Sequence, residues 1–195
     1  MQLETVLEVR DISKSFPGVK ALNHVSFKVQ KGTTHVLCGE NGAGKSTLMN
    51  IINGVYTPDE GAVYLDGKPV KIENPLHART LGISMIFQEL SFVPELTVAE
   101  NIFLGRWPKD RFGRIDKKLM YRRTQELLDR EELPYSPYTQ LKDLSVSDIQ
   151  MLEILKAVSD EARIVIMDEP TSAITEKETL RLFEKIRALK ERGAS

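Results

Sequence analysis

The chain has one cysteine, Cys38, and three histidines, His24, His35 and His77, all in its first half. A single thiol excludes an internal disulfide and fits a reducing compartment. Three scattered imidazoles and one thiol do not make a transition-metal site. Charge of one sign is also missing, since 27 basic residues face 28 acidic ones and the formal net charge is -1. No single-sign field exists to draw in a nucleic acid or an anionic membrane, so no nucleic-acid partner is expected. The segment Arg106-Trp107-Pro108-Lys109-Asp110-Arg111 is basic and aromatic, but short and interrupted, and reads as a solvated loop. The opening residues Met1-Gln2-Leu3-Glu4 lack the basic start and apolar run of a signal peptide. No apolar run reaches the length that crosses a bilayer. The chain is expected to be soluble by itself, and to meet a membrane only through a partner.

What remains is a globular composition, 41% hydrophobic and 28% charged over 195 residues, enough for a sizeable core. The first third alternates as β structure: Leu7, Val9 and Ile12, then Val25 to Val29. Ala62 to Leu65, Asp66-Gly67 and Lys68 to Val70 predict a hairpin, because glycine accepts the positive φ of a type I′ turn. His35-Val36-Leu37-Cys38 predicts a short strand with Cys38 as a small buried hydrophobe, and Leu48 to Ile52 a helix ended by Gly54. Ile83 to Phe87 and Ile164 to Met167 read as buried strands. Between them the pattern is helical. Thr97 with Glu100 has capping-box spacing, Asp116 caps a helix to about Glu131, and another runs from about Ser147 to Val158. A last helix opens with Thr175 and Glu178 and is expected to bury Leu182, Phe183, Ile186 and Leu189. Strands and helices in this order imply an α/β core.

Gly39-Glu40-Asn41-Gly42-Ala43-Gly44-Lys45-Ser46-Thr47 fits G-x-x-x-x-G-K-[ST] between a strand and a helix, the context of a P-loop. Glycines let successive N–H groups face phosphate oxygens, and the helix N-terminus adds positive dipole. Lys45 is the cation for the β- and γ-phosphates, and Ser46 the hydroxyl for Mg²⁺. ATP with Mg²⁺ is therefore the expected ligand. The other half of such a site is an acidic residue ending a buried strand, and Ile164-Val165-Ile166-Met167-Asp168-Glu169 supplies it. Asp168 can orient a water on the magnesium, and Glu169 can polarise an attacking water as general base.

In this order the motifs resemble the nucleotide-binding domain of ATP-binding-cassette (ABC) proteins, from Leu7 to the end. The resemblance implies an ATPase with a RecA-like P-loop NTPase core, an antiparallel β subdomain and an inserted α-helical subdomain. It places the core at 1–89 and 160–195 and the helical signature subdomain at 90–159. It makes Phe16 the aromatic on which adenine stacks, and Gln88 the glutamine that touches the metal and faces a membrane partner. Asp168-Glu169-Pro170-Thr171-Ser172-Ala173 matches the Walker B and D-loop run. Phe16-Pro17-Gly18-Val19-Lys20-Ala21-Leu22, Phe87-Gln88-Glu89-Leu90, Ala99-Glu100-Asn101-Ile102-Phe103-Leu104-Gly105 and Thr171-Ser172-Ala173-Ile174-Thr175-Glu176 are similar to the monosaccharide-import branch, the alternatives being a soluble non-transport ABC ATPase or an ATP-binding module with a degenerate, weakly hydrolysing site. In that branch one polypeptide carries two cassettes, and this chain would be most of the first. The implied partners are a second ABC domain, a transmembrane permease, and a periplasmic or extracellular sugar-binding protein acting indirectly. The permease would meet the groove after Gln88, around Leu90, Phe92, Val93, Leu96 and Val98, though plain lobe core is nearly as good a reading of those residues. The implied place is the cytoplasmic face of the membrane.

Two features depart from the family pattern. The signature Leu-Ser-Gly-Gly-Gln is replaced by Leu144-Ser145-Val146-Ser147-Asp148, followed by Ile149-Gln150. In the family this loop reaches the γ-phosphate of the opposite P-loop, so Ser145 and Ser147 count among the nucleotide contacts. Ser147 or Asp148 also suits a helix N-cap. Ser147 replaces a close-approach glycine and Asp148 puts a negative charge near a polyanion, so the loop is expected to serve the weaker of two composite sites. The family's switch histidine has no counterpart after Asp168. A fragment lacking it, and the final strands of the sheet, is expected to hydrolyse ATP poorly.

Overall fold

Asp66 and Gly67 both take positive φ, 49° and 75°, and turn the chain between β3 (Glu60–Leu65) and β4 (Lys68–Val70) as the Asp-Gly pair predicts. The longer runs before them form β1 (Thr5–Phe16) and β2 (Val19–Gln30). These four make one antiparallel sheet in the order β2-β1-β3-β4, with Leu7 opposite both Val29 and Leu65. A separate two-stranded sheet joins β5 (Ile83–Ile86) and β6 (Ile164–Met167). The structure is a computed structural model that describes residues 4–87, 92–159, 162–170 and 176–195.

The helices follow their caps. In α1 (Lys45–Ile52), Asn53 is the C-cap and Gly54, at φ 77°, leaves the helix as expected. Asn74 caps α2 (Pro75–Thr80), with its side chain accepting from His77 N–H. Thr97 and Glu100 close the reciprocal capping box of α3 (Val98–Ile102), and Asp116 accepts from Leu119 N–H at the start of α4 (Lys117–Arg130). A 3-10 turn, Leu141–Asp143, leads into α5 (Val146–Ser159), and α6 (Glu176–Glu191) runs towards Ser195.

Two compact units result. One is Met1–Met85 with Asp160–Asp168 and Phe183–Ser195, and the other is Ile86–Ser159 with Glu169–Leu182. The first is built on Val6, Ile12, Ile51, Ile52, Val63, Ile83 and Ile164. The second is built on Val98, Ile102, Met120, Leu128, Leu141 and Leu152, with Phe92 and Trp107 packed against it. Phe92 and Val98 thus belong to this core, and Leu90 lies outside the described residues.

Three expectations need correction. His35-Val36-Leu37-Cys38 is extended coil, with Val36 71% exposed and Cys38 exposed. A strand exists only where a neighbour takes its N–H and C=O groups, and among the described residues no strand pairs with this run. In β6 only Ile164 is buried, while Val165, Ile166 and Met167 are half-buried. Phe183, expected inside, is 53% exposed, whereas Leu182 and Leu189 are buried. The 3.6-residue period of α6 leaves room for a narrower apolar stripe than its sequence offers. The proposed Thr175 cap lies outside the described residues.

Candidate functional site

The glycine loop is fixed by one close approach. Gly44, the N-cap of α1, sits at φ 85°. A Cβ there would lie 2.4 Å from the Ala21 carbonyl oxygen and 2.8 Å from Leu22 Cδ2. Glycine is required twice over, for the left-handed backbone and for contact with β2. Lys45 then folds back over the loop, its Nζ donating to the carbonyls of Gly39 at 2.7 Å and Glu40 at 2.9 Å. The cation is held over the loop by these two carbonyls, and α1 begins at Lys45 itself, where the helix dipole favours an anion. Gly39, Glu40, Asn41, Gly42, Ala43 and Ser46 are exposed, and Thr47 is half-buried. Residues 39–43 and Ser46 are therefore open to solvent.

Phe16 stands at the same end of the sheet. Across the β1–β2 ladder Phe16 faces Val19 and Lys14 faces Leu22, the residue that Gly44 approaches. The Phe16 ring is half-buried, edge-on to Tyr56 with centroids 5.3 Å apart, and Lys14 Nζ lies 5.8 Å from its centroid. Asp168 follows the last residue of β6, is 8% exposed, and belongs to the same compact unit as the loop. Glu169 comes next, exposed and at φ 47°. Gln88 and residues 171–175 lie outside the described residues.

At the signature position the structure assigns the N-cap to Ser145 and not to Ser147 or Asp148. Ser145 Oγ accepts from Asp148 N–H at 3.2 Å, and Asp148 Oδ2 accepts from Ser145 N–H at 3.2 Å and Oγ–H at 2.6 Å. This is a capping box with aspartate in the third position. Ser147 Oγ lies 3.0 Å from Ser145 Oγ, and the Tyr135 hydroxyl donates to Asp148 Oδ1. Partial burial pushes the Asp148 carboxyl up, but the Ser145 and Tyr135 hydroxyls outweigh it and hold the group below its ordinary range. The carboxylate is thus engaged within its own loop. The S-x-x-D spacing signals the box in the sequence, whereas nothing in the spacing signals Tyr135.

The donor set suits magnesium. Ser46 and Asp168 offer hard oxygen atoms, and Mg²⁺ takes one or two such ligands and fills the rest with phosphate and water. A cage of three or more His, Cys, Asp or Glu is not found among the described residues.

The sequence profile described as "ABC transporter" matches residues 22–172, most of the chain. The chain belongs to the ABC transporter family. Among solved structures, an ATP-binding cassette of an ABC transporter in its ADP conformation matches this ABC chain with TM-score 0.83 at 28% identity. That match covers 97% of the chain and 78% of the cassette, so the fold is the P-loop NTPase fold of these ATPases. This ABC chain is also 54% identical over 196 residues to a Geobacillus kaustophilus protein named for ribose, galactose and methyl galactoside import, covering 100% of the chain and 39% of that protein. It is 51% identical over 191 residues to a ribose import ATP-binding protein of Rubrobacter xylanophilus, covering 98% of the chain and 38% of the relative. The chain spans well under half the length of these curated relatives.

Proposed function

We propose that this ABC chain binds ATP with Mg²⁺ and forms part of the ATPase that drives import of a monosaccharide. The observation that carries this is the loop itself: Gly44 pressed on β2, and Lys45 folded over the Gly39 and Glu40 carbonyls. The backbone of residues 39–44 and the ammonium of Lys45 bind the phosphates, while Phe16 stacks on adenine. Ser46, Asp168 and Gln88 hold the magnesium, which when bound neutralises phosphate charge. Glu169 withdraws a proton from the attacking water. The core is assigned to 1–89 and 160–195 and the signature subdomain to 90–159.

A second ABC domain supplies the opposing signature loop, and ATP clamps the pair together; hydrolysis lets them part. That cycle biases a permease, docked in the groove after Gln88, between two states at the cytoplasmic face of the membrane. The relatives' names for ribose and galactose import support the monosaccharide reading. A solved dimeric cassette bound to ADP and phosphate, at 25% identity and TM-score 0.79, supports the paired arrangement. The loop around Ser145 and Ser147 serves the weaker composite site, because the Ser145 hydroxyl already donates its hydrogen bond to Asp148.

Titration with a fluorescent ATP analogue tests the core of this reading. Lys45→Ala should weaken binding about 10- to 100-fold, the weight of a charge-assisted contact. Equal affinity in wild type and variant would sink it.

A further inference from the structure

Gln150 is the fifth residue of α5, and its Nε2 donates to the Pro170 carbonyl at 2.9 Å. A carbonyl only accepts, so the amide nitrogen must face Pro170 and the amide oxygen must face away. That oxygen, Oε1, is buried and has no hydrogen-bond partner among the described residues. Leaving a buried acceptor unmade is costly, and Gln150 accepts this cost while keeping its hold on Pro170.

The hold matters because of what precedes it. Glu169 carries φ 47°, in the left-handed region that a residue with a side chain seldom enters. A residue before proline is further biased towards extended backbone, so Glu169 goes against two preferences at once. Such a conformation persists only where its surroundings fix it. Pro170 has no N–H, which leaves its carbonyl as its one backbone hydrogen-bonding group, and Gln150 takes it.

The geometry points to Gln150 as a positioning residue that, through the Pro170 carbonyl, fixes the turn aiming the Glu169 carboxylate at the attacking water. The inference rests on the reading of Glu169 as general base. It also makes α5 a physical link, since the helix that begins at the signature loop touches the catalytic turn from the start of its second turn.

ATP turnover of the assembled transporter tests it with Gln150→Met, Gln150→Lys, Glu169→Gln and the Gln150→Met/Glu169→Gln pair. Gln150→Met keeps the length but lacks the donor, and should lower kcat about 10- to 100-fold with the ATP KM within about twofold, as misplacement of a reacting group does. Gln150→Lys restores an N–H donor and should recover part of the loss. In the Glu169→Gln background, Gln150→Met should add nothing, because the group it positions is gone. Unchanged kcat in Gln150→Met would overturn the proposal. So would an equal fold loss with and without Glu169, which marks a merely structural side chain. Turnover surviving Glu169→Gln would instead overturn the general-base reading, and the proposal with it.

Discussion

At the start of α5, Ser145, Asp148 and Tyr135 satisfy one another, so a charge that the family resemblance would set near a polyanion is engaged in capping a helix. Removing it should therefore cost stability before it changes nucleotide handling. Asp148→Ala is expected to destabilise the chain by about 1 kcal/mol, the usual worth of a cap, and Tyr135→Phe by less. Denaturant midpoints measure both, and an Asp148→Ala midpoint equal to wild type would contradict the box. At this scale the P-loop was the most legible feature, because its residue types are dictated by backbone chemistry: Gly44 cannot bear a Cβ at 2.4 Å from a carbonyl. Tyr135 and Gln150 were not legible. Each acts on a group 13 or 20 residues away in the chain, and no local period announces such a contact.

Among the elements, β1 holds a carboxylate on a strand packed with apolar residues. Glu8 lies 2.8 Å from Arg10 and 3.1 Å from Lys28 on the neighbouring β2. The Arg10 hydrogen bond is the main cause, with Lys28 adding to it against the opposing effect of burial, of a Glu8 carboxyl lowered from 4.5 to about 2. A carboxyl lowered in the folded state contributes stability above its unfolded value and loses it as pH falls through the folded one. Glu8 should thus add acid sensitivity between about pH 4.5 and pH 2, and Glu8→Gln should flatten the fall in urea midpoint across that window. An identical acid profile in the variant would rule this out. Elements with a local signature were readable in advance: the Asp66-Gly67 turn, the Thr97–Glu100 box and the Asp116 cap all form as their spacing implies. His35 to Cys38 did not form its strand, because strandness is settled by a partner elsewhere in the chain and not by four apolar-rich residues.

For the whole molecule that exception carries the most information. Val36 is 71% exposed, Cys38 is exposed, and the P-loop begins at the very next residue. An apolar run leading into a phosphate loop is ordinarily held inside a sheet, and the register of the loop depends on what holds it. Here the anchoring comes from the other end, through Gly44 against Ala21 and Leu22, while residues 33–40 carry no strand pairing. The first arm of the loop should then be looser than the second. Cys38 reports on this directly: in the folded 195-residue chain its thiol should react with a disulfide reagent within about tenfold of the rate in denaturant, as an exposed cysteine does. In a longer protein whose sheet supplies a strand beside residues 35–38, the same thiol should become protected by orders of magnitude, and saturating ATP should slow it further by drawing the loop onto phosphate. Strong protection in the 195-residue chain itself would show that the run is already paired, and would move the weak point of the nucleotide site elsewhere.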